Sequence, residues 1–189
     1  GCAPALQRAA RNGDLAAVRN MLDRGANVNS SAVMGFSQTP LHEACARGRT
    51  EIVKLLIACG ADVNAGSGNL THSHGTPLHW LHRHRPCGEE SKQIARLLIE
   101  AGANVDASNA WGTALEGWSK ETDPCSREVA AILRDATAVR EDASARKAKA
   151  SAERERADRI QAELAASGGA IAAAEREGDA ASAAGDASG

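Results

Sequence analysis

The fold is decided by a stretch that occurs twice, "QTPLHEACARGRTEIVKLLIACGADVNA" at residues 38–65 and "GTPLHWLHRHRPCGEESKQIARLLIEAGANVDA" at residues 75–107. Each copy has Thr-Pro-Leu-His directly after its first residue, and near its end it has Gly-Ala, a polar residue and Val. Less regular copies flank them at residues 5–29 and 112–136. The leucine near the start of each copy recurs every 35 to 37 residues, at Leu6, Leu41, Leu78 and Leu115. Such a period indicates a stack of small supersecondary units.

Local signals predict two helices in each copy. Thr39 and Thr76 are residue types that cap helices, and the proline after each one suits the first helical position, where no N–H is needed. Gly48 ends a short first helix. A left-handed glycine then ends each second helix, at Gly25, Gly60 and Gly102. One such pair cannot bury its apolar side alone, so the copies must stack. The second-helix leucines that we expect to be almost fully buried are Leu55, Leu56, Leu97 and Leu98.

The Thr-Pro-Leu-His signature and the repeat length resemble those of the ankyrin repeat, whose unit is about 33 residues. The resemblance covers residues 5–136 and is most specific in the two middle copies. It implies an all-α fold, an ankyrin-repeat solenoid of stacked helix-turn-helix pairs with hairpin loops. In this family the signature histidine, here His42 and His79, makes structural hydrogen bonds. The expected domain is residues 1–137, with repeats at about 5–35, 36–72, 73–109 and 110–137.

The first and fourth copies depart from the signature in ways that suit the ends of a stack. The first copy has no Thr-Pro-Leu-His, and the fourth has Glu116 where the others have histidine. Trp118 stands where the second copy has the small Ala44, so we expect it to be a bulky plug that closes the core. Both copies are therefore interpreted as capping repeats.

Residues 79–87 concentrate His79, His82, His84 and Cys87, which raises the question of a metal site. Imidazole and thiolate are good zinc ligands, but the spacing matches no standard zinc finger. His79 belongs to the signature. The step from the signature leucine to the second helix is five residues longer here than in the second copy, which predicts a polar bulge at residues 84–90. His84 and Cys87 therefore lie on a loop, and we expect no metal.

The fourth copy has a similar expansion, and its Asp123-Pro124-Cys125 turn should lie beside Arg85-Pro86-Cys87 on one edge of the stack. A Cys87–Cys125 pair could form there. However, the chain has five scattered cysteines, an odd number, which indicates an intracellular, reduced protein. The sequence therefore disfavours that disulfide.

The tail, residues 138–189, is a different kind of sequence. It is rich in Ala, Glu and Arg, and it has no large apolar residue between Arg140 and Arg159. This composition favours either a solvated helix or disorder, and it does not support a coiled coil. Two i,i+4 ion pairs are well oriented, Asp142–Arg146 and Glu155–Arg159. We expect any helix to fray after residues 167–169, and a segment that folds on a partner is the alternative.

Composition excludes several classes of function. The formal net charge is −2, and the chain has one Phe, three Trp and no Tyr, so neither nucleic acid nor an aromatic-lined cofactor site is expected. No phosphate-binding glycine loop or hydrolase motif is present. No apolar run reaches membrane-spanning length, and no signal peptide is visible. We expect a non-catalytic, cofactor-free monomer in the cytoplasm or nucleus. Acylation of Gly1-Cys2 is not expected, because Ala5 stands where the pattern requires Ser or Thr.

The resemblance implies a protein–protein interaction module, an adaptor or scaffold that binds another protein through hairpin tips and first-helix positions. One alternative is a targeting or regulatory segment of a larger enzyme or signalling protein, and another is a His/Cys metal protein. Phe36 and Trp80 could instead only pad neighbouring repeats. The predicted partner-binding residues are Val33, Met34, Phe36, Glu43, Arg47, Leu70, His72, His74, Trp80 and Trp111.

Overall fold

The computed structural model describes residues 3–31, 37–69, 72–83 and 87–185. Several residues discussed above lie outside these ranges: Gly1, Cys2, Val33, Met34, Phe36, Leu70, His84, Arg85 and Pro86. The backbone of residues 72–75 is described as a strand, but the side chains of His72 and His74 lie outside the description. The chain divides into two compact units, Gly1–Val139 and Arg140–Gly189.

Helices of the first unit occur in consecutive pairs, which confirms the all-α stack. The first helices of the pairs are α1 (Ala3–Asn12), α3 (Pro40–Ala46), α5 (Pro77–Leu81) and α7 (Ala114–Ser119). The second helices are α2 (Leu15–Asp23), α4 (Thr50–Ala58), α6 (Glu89–Glu100) and α8 (Pro124–Gly185). Antiparallel hairpins join β1 (Ser67–Asn69) to β2 (His72–Gly75) and β3 (Ser108–Asn109) to β4 (Gly112–Thr113). Each first helix packs on its neighbours, and α4 packs on both α2 and α6.

The signature residues cap the first helices of the middle repeats, as predicted. The Thr39 amide donates to Nδ1 of His42 at 3.1 Å, and the Thr76 amide donates to Nδ1 of His79 at 3.2 Å. The following prolines occupy the start of each helix, where a missing N–H leaves no bond unmade. The three predicted left-handed glycines have φ values of +82°, +81° and +88°, at Gly25, Gly60 and Gly102.

His42 also links its repeat to the next one. Its Nε2 lies 3.3 Å from the carbonyl oxygen of Gly75, at the end of β2. Because Nδ1 accepts the Thr39 amide, Nε2 carries the hydrogen and donates it to Gly75. Burial lowers the pKa of His42 to about 4, with the Gly75 carbonyl opposing the shift. The imidazole is therefore a neutral structural link at pH 7.

A ladder of asparagines joins the turns after the second helices. Asn29 donates to the Gly60 carbonyl at 3.3 Å and accepts from the Asp62 amide at 2.8 Å. Asn64, the same position one repeat later, donates to the Gly102 carbonyl at 3.1 Å and accepts from the amide of the next repeat at 2.6 Å. This role of Asn64 between repeats was not predicted from the sequence.

The core is continuous through the repeats, but two leucines are less buried than predicted. Leu56 and Leu98 have no exposed surface. Leu55 and Leu97 are only partly buried and pack at the edge of the core. Each of these two residues points about 100° around the helix from the buried leucine that follows it, which places it at the edge of the core. The prediction of near-complete burial was therefore wrong for Leu55 and Leu97.

The expansion of the third repeat is shared between a loop and a longer helix. α4 begins at Thr50, two residues before Ile52, whereas α6 begins at Glu89, five residues before Ile94. Cys87, just before α6, and Cys125, in the first turn of α8, are joined by a disulfide with their Cα atoms 5.9 Å apart. The two expansions are thus adjacent, as expected, but the pair that the sequence disfavoured is formed. The predicted adjacency of the two turns brings the two sulfurs within bonding distance.

The fourth repeat closes the stack with different residues. Trp118 is fully buried, which confirms the predicted plug, and its ring meets that of His82 edge-on at 5.0 Å. Glu116 replaces the signature histidine in the capping role. Its carboxylate accepts the Thr113 amide at 3.1 Å, while the Thr113 hydroxyl accepts the Glu116 amide at 3.2 Å.

The second unit contains the remainder of α8. The Asp142–Arg146 ion pair is formed at 2.8 Å, and the side chains at residues 140–156 are exposed. The helix was expected to fray after residues 167–169, but it continues to Gly185. Each of the two glycines within residues 167–169 costs the helix about 1 kcal/mol. The alanines around them have the highest helix propensity and offset this cost. Searching the described residues finds no helix with enough length and apolarity to cross a bilayer.

Candidate functional site

The described residues of the predicted site lie along two adjacent grooves on the first-helix side of the stack. The N-terminal groove, about 470 Å³, is lined by Arg11, Gln38, Glu43, Ala46, Arg47, Trp80 and Arg83. The C-terminal groove, about 320 Å³, shares Trp80 and Arg83 with it and extends to Trp111, Lys120 and Glu121. We refer to the two grooves together as the first-helix surface. The structure therefore brings four predicted residues to one side of the first unit: Glu43, Arg47, Trp80 and Trp111.

Glu43 is buried, which contradicts the expectation that it lies at a position the core does not need. Its carboxylate receives two hydrogen bonds from the guanidinium of Arg11, from Nε at 2.9 Å and from Nη2 at 2.6 Å. This bidentate pair joins α1 to α3, and it raises the pKa of Arg11. The charge of Glu43 is thus already matched within the fold. No local signal in the sequence predicts this pair, whose residues are 32 positions apart.

Trp80 is also buried, with only 5% of its surface exposed. Its indole N–H donates to the Ser67 hydroxyl at 2.7 Å, and that hydroxyl donates to the Gly75 carbonyl at 2.7 Å. The ring meets His42 edge-on at 5.5 Å. Trp80 is therefore part of the packing between the second and third repeats, and its expected free surface position was wrong. Whether it also contributes to binding stays a prediction.

The two grooves meet at Arg83, an exposed residue that the sequence analysis overlooked. Its guanidinium carbon lies 4.7 Å from the centre of the Trp80 ring, a cation–π contact over the face of the indole. Arg47 is exposed on the other side of the N-terminal groove, as predicted. Within the described part of the chain, neither guanidinium forms an ion pair. Both can therefore receive an incoming carboxylate.

The C-terminal groove combines an apolar side chain with polar ones. Trp111, near the turn between β3 and β4, is 62% exposed and lines this groove. Opposite it, His82 Nε2 lies 3.4 Å from a carboxylate oxygen of Glu121, and Lys120 adds a positive charge. This groove can thus hold an apolar side chain beside a charged one.

The histidines of residues 79–87 do not assemble a metal site among the described residues. His79 binds Thr76 through Nδ1, and burial lowers its pKa, partly opposed by the carbonyls of Gly112 and Ala107. His82 faces Trp118 and Glu121. The one group of potential ligands that the described residues bring together is Cys87, Asp123 and Cys125, and there the two sulfurs are bonded to each other.

Comparison with known proteins places these features in a family. A family model described as ankyrin repeats, in three copies, matches residues 6–109. An ankyrin repeat domain from Acinetobacter baumannii AYE, known from a crystal structure, superposes with a TM-score of 0.60 at 31% identity, over 70% of this chain and 63% of that one.

Curated relatives match a shorter part of the chain. The E3 ubiquitin-protein ligases XBAT32 and XBAT33 of Arabidopsis thaliana are 37% identical over 67 residues and 40% identical over 68 residues. The probable E3 ubiquitin-protein ligase XBOS33 of Oryza sativa subsp. japonica is 37% identical over 89 residues, or 42% of this chain. The matched segments cover only 13 to 16% of the length of these relatives.

Proposed function

This chain belongs to the ankyrin-repeat family, and on that premise we propose that it is a non-catalytic adaptor or scaffold whose first-helix surface binds another protein. Ankyrin repeats indicate a protein-interaction module. The finer assignment, to this surface and to a partner held mainly by Trp111, Arg47 and Arg83, is our inference.

The observation that carries the proposal is the exposure of Trp111. Large aromatic residues dominate the binding energy of protein interfaces, and Trp111 is 62% exposed where it lines the C-terminal groove. The neighbouring polar groups, Arg83 and Lys120, supply the charged rim that such interfaces have. Within the described residues, the side chains of the two grooves do not form a nucleophile–base pair, which fits a binding role.

The experiment compares three variants of the full chain in capture of partner proteins from a cell extract, followed by mass spectrometry. Trp111→Ala should lose the specific partner while melting near the wild-type temperature. Val139→Ala is the matched control, because Val139 is a large apolar residue that is 69% exposed but lies on α8. Trp80→Ala should instead lower the melting temperature, because that indole is buried. The proposal would be contradicted if Trp111→Ala captured the same partner as well as the wild type does.

A second candidate is that the chain is the recruiting segment of a larger protein, such as a ubiquitin ligase. The observation in its favour is that the curated relatives named above are E3 ligases, of which the matched segment is a small part. An immunoblot of cells that express the protein naturally, with an antibody against residues 1–139, tests this. A band far above 19.5 kDa supports the larger protein, and a band at that mass excludes it.

A further inference from the structure

We propose that the partner segment bound by the first-helix surface is acidic, with carboxylates that pair with Arg47 and Arg83 and an apolar side chain that packs on Trp111. This inference rests on the proposed function and adds the chemistry of the partner.

The first observation is a row of cations along the stack. The residue five positions after the signature leucine is Arg11 in the first repeat, Arg83 in the third and Lys120 in the fourth. In the second repeat this position is Ala46, and the next residue, Arg47, supplies the charge. All four cations line the two grooves, so the row is a property of the folded surface as well as of the sequence.

The second observation is the charge balance of that surface. Four cations and two carboxylates, Glu43 and Glu121, line the grooves, which gives a local charge of +2 with His82 neutral. The whole chain has a formal charge of −2. Glu43 is matched by Arg11, so the positive field comes mainly from Arg47, Arg83 and Lys120. A surface of opposite sign to its protein is expected to select and orient an acidic partner.

The third observation is the spacing that the stack imposes. Neighbouring packed helices lie about 8–10 Å apart, and a peptide in the polyproline II conformation advances about 3.1 Å per residue with three residues per turn. Acidic residues three positions apart in such a segment face the same side and therefore match cations on successive repeats. The segment would cross the first helices in order, and its apolar residue would reach Trp111 at the C-terminal groove.

The geometry favours a protein over a nucleic acid. The indole nearest the cation row, Trp80, is buried and covered by Arg83, so it offers no face on which a base could stack. Trp111 is a single exposed indole on a hairpin rather than a stacking platform.

The test selects binders from a random-peptide display library on the full chain, without assuming a sequence. The best peptide is then synthesised with a fluorophore, and its Kd is measured by fluorescence polarisation. We expect Asp and Glu to be enriched at three-residue spacing, beside one apolar residue. Affinity should decrease as salt is added, because the Debye length is only about 8 Å at physiological ionic strength.

The decisive variant is the double charge reversal Arg47→Glu with Arg83→Glu, which should weaken binding of the selected peptide by about tenfold or more. Its matched control is Arg19→Glu with Arg96→Glu, which changes the net charge equally at two exposed arginines on α2 and α6. The control should bind within about twofold of the wild type, since distant surface charges are largely screened. Circular dichroism melts verify that all variants are folded.

The remaining outcomes separate this inference from the proposed function. The selected peptides could lack enrichment in Asp and Glu and still bind Trp111→Ala more weakly than the wild type. That result would overturn the acidic partner but leave a protein-binding surface. If the selection yields no peptide that depends on Trp111, Arg47 or Arg83, both proposals fail. The choice of a protein partner would be overturned if a short single-stranded RNA displaced the peptide and the same double charge reversal weakened RNA binding.

Discussion

The second and fourth repeats reach the same helix-pair geometry by different means. In the second, the signature histidine caps its own helix and also donates across to Gly75 of the next repeat. In the fourth, Glu116 performs the cap alone, and the repeat is held by the buried Trp118 and by the disulfide from Cys125 to Cys87. An interior repeat has a neighbouring repeat on each side to bond with, whereas the fourth has the third repeat on one side only.

This difference separates two sources of stability in a stack. Interior repeats gain from polar contacts that recur at one position in each copy, such as Asn29 and Asn64. A terminal repeat cannot use them on its outer side, so it depends on apolar bulk and on a covalent bond that occur once. We therefore expect changes at the fourth repeat to be large and local, and changes to the recurring contacts to be smaller.

Replacing Trp118 with Ala should lower the free energy of unfolding by roughly 3–5 kcal/mol, because a large buried ring is lost. Urea denaturation followed by circular dichroism measures this. Trp118→Phe is the informative control. It removes an indole N–H that has no partner among the described residues, and it should cost less than about 1.5 kcal/mol. Equal losses in both variants would contradict the role of Trp118 as a plug.

Breaking the disulfide should destabilise the fourth repeat by up to about 4 kcal/mol, the chain-entropy value for a closed loop of 38 residues. The measurement compares melting of oxidised wild type, reduced wild type and Cys87→Ser. The reduced and Cys87→Ser proteins should agree, and Cys59→Ser, at an exposed free cysteine, should match the oxidised wild type. A melting temperature unaffected by reduction would show that the covalent link adds nothing.

Acidification should weaken the interior of the stack through His42. Its pKa in the folded state is about 4, below the free value of 6.5, so the unfolded state binds the proton more readily. The contribution of neutral His42 is complete above pH 6.5 and is lost as the pH falls towards 4, for a total of about 3 kcal/mol. Unfolding free energies measured from pH 7 to 4 should show this slope. His42→Gln should flatten it, and an unchanged slope would contradict the assignment.

Removing one rung of the asparagine ladder should have the smallest effect. Asn64→Ala deletes two exposed hydrogen bonds to the next repeat and should cost about 1–2 kcal/mol. Asn20→Ala, at an exposed position of α2, should remain within about 0.5 kcal/mol of the wild type. Denaturant midpoints compare the two. If Asn64→Ala lost no more stability than Asn20→Ala, the asparagine ladder would not stabilise the stack.

The repeats, the helix caps and the left-handed glycines were predictable because each depends on residues close together in sequence. The Thr39–His42 cap spans three positions, and Gly60 directly follows the helix end that it shapes. The plug at Trp118 was also predictable, because alignment with Ala44 revealed a change of size. Local chemistry therefore accounts for most of the fold.

The candidate site was harder to predict because exposure depends on the neighbouring repeat. Glu43 and Trp80 occupy the same repeat position, two after the signature leucine, and both are buried for reasons that lie elsewhere in the chain. Arg11 pairs with the first, and Ser67 accepts the indole N–H of the second. The aligned cations Arg11, Arg83 and Lys120 were visible in the sequence, but only the folded surface distinguishes them from other charges.

The most direct test of the central claim, that the first-helix surface binds the partner, is hydrogen–deuterium exchange of the full chain with and without a captured partner or selected peptide. We expect slower exchange in α3, α5, α7 and the hairpin at residues 108–113, with α2, α4 and α6 unchanged. Protection confined to the second helices, or to α8 beyond residue 139, would contradict the claim and place binding elsewhere.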